Sequence, residues 1–458
     1  MDWSPTLTDR DGPVYQRIVD ALSADIASGR LHRGQQLPTH RALAQALGVD
    51  LTTVTRAYTE ARQRGLTEAR VGRGTFVAES LSQARPAAGA QPPLDLSMNL
   101  PPQPIEADLE GRLTRGIAAI QREVGFSAHL NYREPGGSET ERAVAAAWLR
   151  SRIPDARGER LVICPGTQNA LFNLLIALTS PGDVVLTEAL TYPGIRAAAN
   201  YTGVRLIGVP IDGDGVVPDA LDAACRQHSP KAVYLIPTIH NPTTATMPLV
   251  RRQQVADILR ANDVLLLEDD AYGALEPNAV PLASLIPERT YFAASLSKCI
   301  APGLRVSFLM APDRDSAGLL AAALRATVQM PTSLMVALVT RWLQDGSAEA
   351  IVGAIRDEAA ARQKLAAEVL VRHAFARHPN GHHIWMPLPR SWSRTEFASH
   401  VQRQGLAIVT AETFSVDESQ PHAIRVSLGA ATSRSELVRA LEILGTALKS
   451  SAARTRVV

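Results

Sequence analysis

The sequence predicts a multi-domain protein in which a small α+β unit precedes a larger α/β unit. Residues 13–79 alternate short helical patterns with glycines. Residues 80–93 are small, polar and proline-bearing, which is typical of a flexible linker. From Leu94 onward, apolar runs of strand length alternate with amphipathic helical segments, the pattern of a largely parallel sheet covered by helices. The predicted domain boundaries are therefore 1–79, 80–93 and 94–458.

Composition predicts a soluble, cytoplasmic protein of two or three compact units. A chain of 458 residues is too long for a single core. No apolar run approaches the ~20 residues that span a bilayer, and residues 1–12 lack the apolar region of a signal peptide. The three cysteines are odd in number and show no metal-ligand spacing. We expect free thiols in a reducing cytosol, no metal site and no membrane contact.

The N-terminal unit is predicted to contain three helices followed by two short strands. Apolar residues recur every fourth position in the first helix, which begins at Pro13 and stops at Gly29. The second helix has an N-cap threonine, and the third begins at an N-cap aspartate. The remaining predicted bounds are roughly Thr39–Leu47 with Gly48 just beyond, Asp50 to Gly65, Leu66–Ala69 and Thr75–Ala78, the strands flanking the turn 71–74.

This layout is that of a winged helix-turn-helix, and its charge indicates a polyanionic partner. Residues 28–78 hold eight arginines against three acidic residues, a surplus of five positive charges. Such a surplus favours DNA, although a solvated charged face would give the same count. A winged helix used for protein contacts is the alternative interpretation.

The run from Pro13 to Ala78 resembles the DNA-binding domain of the GntR family. The resemblance lies in SGRL, G-x-x-LP, RALA-x-x-LGV, TV-x-RAY and GRGTFV. It implies that the third helix enters the major groove and that the wing meets the minor groove. The family's usual Ser-Arg before the recognition threonines is Asp50-Leu51 here, which removes one expected contact. The DNA-binding residues that the resemblance implies are Arg41, Thr52, Thr53, Arg56 and Arg73.

Seven apolar runs predict the strands of the larger unit: LVIC, DVVLT, RLIGV, AVYLI, VLLLE, YFAAS and RVSFLM. Ligands of such sheets bind beyond the carboxyl ends of the strands, so the polar residues that follow are the candidates. A glycine and a threonine after the first run open a helix, which is a phosphate cradle. The candidates at the strand ends are Gly166, Thr167, Asn241, Asp269, Asp270, Tyr272, Ser295, Ser297, Lys298 and, seven residues further, Arg305.

This set supplies the groups that pyridoxal 5'-phosphate requires. The aldehyde needs a lysine amine for a Schiff base, and the pyridine nitrogen needs a carboxylate. The phosphate needs an arginine, hydroxyls and helix amides. Lys298 is the only one of four lysines flanked by hydroxyls at a strand end. The other three are Lys231, before a buried strand, and Lys364 and Lys449, in helical patterns.

The runs GTQNALFNLLIALTSPGD, TYPG, IPTIHNPT, LEDDAYG, SLSK-x-x-APGLR and IRVSLG resemble the fold-type I aminotransferases over roughly 94–458. The resemblance implies a large subdomain at roughly 140–325 and a small C-terminal α+β subdomain at roughly 335–458. It makes Lys298 the Schiff-base residue and Asp269 the partner of the pyridinium. Asp269 is preferred to Asp270 because it precedes Tyr272 by three positions, the family spacing.

The resemblance also implies the remaining contacts of the cofactor and of a ligand. Asn241 and Tyr272 would bind the 3'-oxygen, and Tyr192 would stack on the ring. Tyr132 would reach the phosphate of the partner subunit, and Arg425 would clamp a carboxylate. Tyr192 as a core residue and Arg425 in a surface ion pair are the alternatives. The residues implied to hold the phosphate are Gly166, Thr167, Ser295, Ser297 and Arg305.

A GntR-type winged helix joined to such a domain is the arrangement of the MocR subfamily. The resemblance implies a homodimeric transcription regulator that binds a double-stranded DNA operator. It also implies that the regulator senses pyridoxal phosphate, a small amino compound, or both. The alternative is an active aminotransferase with an accessory DNA-binding domain, and the catalytic residues would then be Lys298, Asp269 and Tyr272. His240, His382 and His383 have no metal spacing and are interpreted as polar lining.

Overall fold

The computed structural model divides the chain into two compact units, Met1–Pro92 and Pro93–Val458. The residues that it describes are 3–5, 13–28, 30–32, 34–63, 66–70, 74–77, 94–417 and 420–450. The predicted linker, 80–93, lies outside the described residues. No helix in the described ranges is long and apolar enough to cross a membrane.

The first unit has the predicted winged helix layout. Its elements are α1 Val14–Ala27, α2 His40–Leu47, α3 Leu51–Gln63, β1 Thr67–Arg70 and β2 Gly74–Val77. The two strands form an antiparallel hairpin. Ile18, Leu22, Leu43 and Val54, which are all 1% exposed or less, form its core together with neighbouring apolar residues. The spacing of apolar residues along α1 therefore marks the face that packs on α3 and faces the shared core.

The predicted helix ends are confirmed where the structure describes them. The Thr39 hydroxyl accepts a hydrogen bond from the amide of Ala42, and Gly48 has a left-handed φ of 64° just beyond α2. The Asp50 carboxylate accepts from the amide of Thr52 at 2.7 Å, which caps α3. Gly29 and Gly65 lie outside the described residues.

The predicted strand bounds of the wing are wrong by one residue. β1 is Thr67–Arg70 rather than Leu66–Ala69, and β2 begins at Gly74 rather than at Thr75. The reason is that Arg70 pairs with Gly74, so the ladder continues to the edge of the turn. Residues 71–73 and Ala78 lie outside the described residues.

The second unit is built on a seven-stranded sheet in the order β4-β12-β11-β10-β9-β5-β6. β12 is antiparallel to its neighbours β4 and β11, and the other pairs are parallel. The strands are β4 Leu161–Cys164, β5 Val184–Glu188, β6 Arg205–Val209, β9 Ala232–Leu235, β10 Leu265–Asp270, β11 Thr290–Ser295 and β12 Ser307–Met310, with a hairpin of β7 Ile211–Asp212 and β8 Gly215–Val216.

A smaller antiparallel sheet in the order β13-β14-β17-β16 lies in the C-terminal part of the chain. Leu94 and Leu96 belong to the core beneath this sheet, although they begin the unit. They arrive there because β3 pairs with β15 in parallel. The strands are β3 Leu94–Asp95, β13 Ala376–Arg377, β14 His383–Pro387, β15 Leu406–Ala407, β16 Val409–Thr410 and β17 Ala423–Ser427.

Eleven α-helices of the second unit, among the residues that the structure describes, cover the two sheets. They are α4 Leu109–Glu123, α5 Glu139–Leu149, α6 Thr167–Leu178, α7 Pro193–Thr202, α8 Pro218–His228, α9 Leu249–Ala261, α10 Arg314–Val328, α11 Ser333–Gln344, α12 Ser347–Val369, α13 Arg394–Arg403 and α14 Arg434–Lys449. Separate apolar cores lie among the strands and helices of the large sheet. The carboxyl ends of the central strands are left to carry polar side chains.

Candidate functional site

Neighbouring strand ends place the predicted cofactor residues at one edge of the large sheet. Asp269 lies on β10 directly opposite Ala293 of β11. Ser295 ends β11, three residues before Lys298, and Thr167 begins α6 just after β4. Asp269 was expected to follow its strand, and that detail is wrong because the ladder with β11 continues through Asp270.

Lys298 is a buried amine with a lowered pKa. Its Nζ donates to the backbone oxygen of Asn99 at 2.5 Å. Its pKa is lowered from 10.5 to about 8, mainly by burial and also by the nearby Arg425, while Asp269 opposes both effects. Removing an ammonium group from water favours its neutral form. Lys298 therefore has the chemistry of a nucleophilic amine at neutral pH rather than of a surface cation.

Asp269 is a buried carboxylate held by a tyrosine. The Tyr234 hydroxyl donates to its Oδ2 at 2.7 Å, and the amide of Ala271 donates to its Oδ1 at 3.2 Å. Burial raises the pKa of Asp269 to about 6, and the bond from Tyr234 partly offsets this rise. A cationic ring nitrogen beside it would favour the ionised form, as the predicted pairing with a pyridinium requires.

Tyr272 and two histidines form a buried layer behind the site. The Asn99 amide donates to the Tyr272 hydroxyl at 2.6 Å and lies 3.0 Å from His383 Nδ1. The rings of His382 and His383 lie 6.0 and 5.9 Å from that of Tyr272. Burial lowers the pKa of His382 to about 4, and it lowers the pKa of His383 well below its usual value. Both are neutral packing residues that fix the tyrosine.

The turn after β4 forms an anion cradle. Gly166 has φ +91°, and a Cβ at this position would lie 2.4 Å from Arg305 Nη2. Only glycine therefore leaves room for the guanidinium, which also donates to the backbone oxygen of Pro165 at 3.0 Å. The Thr167 hydroxyl is buried and has no hydrogen-bond partner among the described residues. An orphaned hydroxyl, an arginine and the first amides of α6 fit a phosphate.

Ser295 ends β11, and Ser297 lies on the loop that leads to Lys298. The Ser295 hydroxyl accepts from the amide of Ser297 at 3.2 Å, and Ser295 is only 5% exposed. This bond shapes the loop that carries the lysine. It leaves the hydroxyl of Ser295 able to donate, as the predicted phosphate contact requires.

Arg425, Asn241 and Tyr192 lie together on the side of the small sheet. Arg425 Nη1 donates to Asn241 Oδ1 at 3.0 Å, and its Nη2 donates to the backbone oxygen of Ser97. Its guanidinium lies 5.0 Å from the ring of Phe414. Burial raises the pKa of Tyr192, and Asp269 raises it further. Arg425 is 6% exposed, so a surface ion pair is not its role.

Two of the predicted residues, Tyr132 and Asp270, lie apart from the cluster around Lys298. Tyr132 is 83% exposed. Asp270 forms a buried, bidentate ion pair with Arg152, with N–O distances of 2.7 and 2.9 Å. This pairing leaves Asp269 as the carboxylate that faces Lys298, in agreement with the preference from spacing.

The structure adds Asn99 and Tyr234 to the site, and the sequence analysis named neither. Tyr234 carries a hydroxyl within the fully buried run AVYLI, and a polar atom in such a strand requires a partner. That signal could have identified it. Asn99 lies in a stretch without a motif, and its contact with Tyr272 joins residues 173 positions apart.

The DNA-binding candidates that the structure describes lie at the surface of the first unit. Arg41, Thr52 and Arg56 are exposed, and Thr53 is half-buried. The Arg56 guanidinium lies 4.0 Å from the ring centre of Tyr15, a cation–π contact that orients it. The Thr52 hydroxyl donates to the cap carboxylate at 2.6 Å. Arg73 lies outside the described residues.

The residues of the second unit fit pyridoxal phosphate. Lys298 would hold its aldehyde carbon and Asp269 its ring nitrogen, while Arg305, Gly166 and Thr167 would hold its phosphate. When bound, the cofactor supplies an electron-withdrawing ring at which amines react. The chain's own residues supply a buried amine with a lowered pKa, a buried carboxylate and a cradle with an unsatisfied hydroxyl.

Comparisons with known proteins agree with both units. The family of aminotransferases of class I and II matches residues 92–444, and the gntR family of bacterial regulatory proteins matches residues 14–77. The HTH-type transcriptional regulator YdeF of Bacillus subtilis, itself uncharacterized, is 30% identical over 447 residues, 97% of this chain and 96% of its own. The vitamin B6 salvage pathway transcriptional repressor PtsJ of Salmonella typhimurium is 30% identical over 432 residues, which are 91% of this chain and 95% of PtsJ.

Among solved structures, LysN of Thermus thermophilus has the same fold as the second unit. This α-aminoadipate aminotransferase, in complex with N-(5'-phosphopyridoxyl)-L-leucine, matches with a TM-score of 0.72 and 27% identity. The match covers 78% of this chain and 92% of LysN.

A winged helix and a pyridoxal phosphate domain in one polypeptide define a DNA-binding transcription regulator built on an aminotransferase fold. The chain belongs to the MocR type of the GntR family.

The lowered pKa of Lys298 predicts how cofactor capture depends on pH. Only the neutral amine attacks an aldehyde, and a pKa of about 8 leaves roughly 300-fold more neutral amine at pH 7 than 10.5 does. We expect the capture rate of cofactor-stripped protein, followed by stopped-flow absorbance, to rise about tenfold per pH unit and to level off above about pH 8. A free lysine side-chain analogue in the same buffers should accelerate up to about pH 10. The prediction would be contradicted if the capture rate of the protein kept rising up to about pH 10, as the rate of the lysine analogue does.

Proposed function

We propose that the second unit is a sensor and that the first unit reports its state to DNA. In this proposal pyridoxal phosphate lies on Lys298, and an amino compound with a carboxylate binds beside it. The observation that carries the proposal is the buried guanidinium of Arg425, whose Nε has no hydrogen-bond partner among the described residues. A buried donor without a partner costs about 1–3 kcal/mol, and a ligand that satisfies it recovers that free energy.

The position of Arg425 defines the class of ligand. Arg425 lowers the pKa of Lys298, which means that the two cations lie close enough to interact. A carboxylate accepts two parallel hydrogen bonds from a guanidinium. A small amino acid therefore fits, with its carboxylate on Arg425 and its amine directed to the cofactor.

We propose a homodimer as the functional state. The stretch 105–132 exposes large apolar side chains, among them Ile105 at 93%, Val124 at 61%, Leu130 at 83% and Tyr132 at 83%. Exposed apolar groups of this size are typical of an interaction surface. In a dimer, Tyr132 would reach the phosphate of the partner subunit, and two winged helices would bind two half-sites of an operator. Operator binding places the protein with the chromosome, in the cytoplasm.

Two other functions have support of their own. An active aminotransferase is favoured by the set of Lys298, Asp269 and Tyr272, which satisfies the requirements of catalysis. A regulator that responds to pyridoxal phosphate alone is favoured by the similarity to PtsJ, whose name places it in vitamin B6 salvage.

One pair of measurements tests the sensor against these alternatives. A panel of amino acids is added to the cofactor-loaded protein with a 2-oxo acid, and absorbance and product are followed. Footprinting of the fragment upstream of its own gene is then performed without cofactor, with cofactor, and with each responding amino acid. A stalled spectral change together with an altered footprint supports the sensor. Sustained turnover with an unchanged footprint supports the enzyme, and a footprint that changes with cofactor alone supports the third function.

The recognition helix provides a separate prediction. We expect Arg56→Ala to weaken operator binding by about 1–3 kcal/mol, because its oriented guanidinium suits a bidentate contact with guanine. Binding of the unaltered protein should also fall steeply with salt, since phosphate contacts release counterions. Fluorescence anisotropy with operator and random DNA measures both effects.

The matched control is Arg62→Ala, another exposed arginine near the end of the same helix. It should lose less affinity and keep its preference for operator over random DNA. Equal losses for the two variants, or no preference for any upstream fragment, would refute this role of α3.

A further inference from the structure

The segment Leu94–Leu100 begins the second unit and crosses the cofactor site. The amides of Leu94 and Leu96 donate to the backbone oxygens of Gly405 and Ala407 at 2.6 and 2.9 Å. The backbone oxygen of Leu96 accepts from the amide of Ser427 at 3.0 Å. The start of the segment is thus fixed to the small sheet, and its following residues reach the site.

Both cations of the site donate to backbone oxygens of this segment. Lys298 Nζ donates to Asn99 O, and Arg425 Nη2 donates to Ser97 O. These are the two groups that the cofactor and a carboxylate ligand would engage. A carboxylate carries an opposite charge and can accept two parallel bonds from the guanidinium, whereas a backbone oxygen is a neutral, single acceptor. A carboxylate ligand therefore competes with Ser97 for the same donor.

The side chain of Asn99 joins the segment to Tyr272. Asn99 is 5% exposed, and its Nδ2 lies within hydrogen-bond distance of both the Tyr272 hydroxyl and His383 Nδ1. His383 Nε2 lies 3.1 Å from the backbone oxygen of His240, so its Nε2 carries the proton and its Nδ1 accepts. Each donor of the Asn99 amide thus has a defined acceptor, and the Tyr272 hydroxyl is left to donate elsewhere.

We propose that Asn99 positions Tyr272 and that the segment Leu94–Leu100 moves when a carboxylate ligand replaces the Ser97 oxygen as the acceptor of Arg425. This movement transmits ligand binding from the site to the linker. The proposal rests on the proposed function, since it requires an amino acid at Arg425. In the cofactor-loaded protein the Lys298 amine would already be bonded to the aldehyde, so the contact between Arg425 and Ser97 is the one that an amino acid removes. With fewer bonds to the site, the segment is displaced more easily as a whole, including Leu94 and Leu96 next to the linker.

The position of the segment in the chain makes it the route to the first unit. Residue 94 directly follows the predicted linker, 80–93, so any displacement of the segment is applied to the end of that linker. Coupling through a connection of this kind needs only that the ligand favours one placement of the segment over another.

Thiol labelling tests the movement directly. Met98 is 60% exposed, and all three native cysteines are buried, so Met98→Cys provides a single reactive thiol in the full-length protein. We expect an amino acid that changes the cofactor spectrum to change the labelling rate about threefold or more, because release of the neighbouring Ser97 alters the exposure of residue 98. Tyr201→Cys, at an 87% exposed position on α7, is the matched control and should label at a constant rate.

The outcomes separate this proposal from the proposed function. If no amino acid changes the cofactor spectrum, the sensor itself fails. If an amino acid binds by absorbance and the Met98→Cys labelling rate stays constant, the sensor stands and the movement of the segment is overturned. A rise at both Met98→Cys and Tyr201→Cys would indicate a general loosening and would also overturn it.

Lengthening the connection tests the route. An insertion of about six glycine and serine residues after Pro93 lengthens the flexible connection and leaves the residues of the site unchanged. The labelling response at residue 98 should persist, and the amino acid's effect on operator affinity should fall about tenfold or more. An undiminished effect on operator affinity would overturn this segment as the route.

Asn99→Ala tests the positioning of Tyr272 by spectroscopy. The bond from Asn99 strengthens the Tyr272 hydroxyl as a donor, and donation toward the ring oxygen of the cofactor weakens that oxygen's hold on a shared proton. We expect the pH midpoint of the cofactor absorbance to rise by about half a unit or more in Asn99→Ala. An unchanged midpoint in a variant that still captures cofactor would overturn the positioning role.

Discussion

Lys298→Ala is expected to abolish the covalent attachment of pyridoxal phosphate. The unaltered protein should be yellow, and borohydride should fix the cofactor on Lys298, where peptide mapping by mass spectrometry locates it. The physical reason is that Lys298 alone combines burial, a pKa lowered to about 8 and a place beside Asp269. In the variant we expect no borohydride-fixed cofactor, and dialysis should remove what remains in the phosphate cradle.

Lys364→Ala is the matched control, since Lys364 is an exposed lysine on α12 in the same unit. It should keep the yellow colour and the modified peptide of Lys298. Thermal unfolding of both variants should be compared, because replacing a buried amine by alanine also removes its bond to Asn99. A reducible chromophore that survives in a folded Lys298→Ala protein would show that another group holds the cofactor.

The predicted site residues that the structure brings together share a simple origin. Lys298, Ser295 and Thr167 each follow or end a continuous apolar strand, and parallel strands bring their carboxyl ends to one edge. That rule depends on local pattern alone. The winged helix was predictable for the same reason, because the Thr39 cap and the glycine after α2 act within a few residues.

The residues that the sequence analysis missed make contacts between distant parts of the chain. Asn99 meets Tyr272 and His383 only because β3 pairs with β15 and carries the start of the unit onto the small sheet. Arg152 pairs with Asp270 across 118 positions. A two-residue strand has no periodicity to detect, so these placements follow from tertiary packing and not from pattern.

Arg425→Ala is expected to remove the response to an amino acid effector. The guanidinium of Arg425 is buried. Truncating one partner of a buried charged pair, here the arginine that would bind the effector carboxylate, costs about 2–5 kcal/mol. This cost is a loss of roughly 30-fold to 5,000-fold in effector affinity. Effector titrations followed by cofactor absorbance measure the loss. Arg425→Lys keeps the charge without the planar fork and should lose an intermediate amount. Arg403→Ala, an exposed arginine on α13, is the matched control and should titrate normally.

The same titrations, repeated with operator DNA, decide whether the site regulates. If the amino acid changes operator affinity by some factor, operator must change amino acid affinity by that factor, because the two binding events share one thermodynamic cycle. A coupling of 1–3 kcal/mol would appear as a shift of about 5-fold to 150-fold in the effector curve of the unaltered protein. In Arg425→Ala the shift should vanish together with the response of the footprint. The opposite result would be superimposable effector curves with and without operator, together with steady conversion of amino acid to 2-oxo acid. That result would identify the protein as an active aminotransferase with an accessory winged helix.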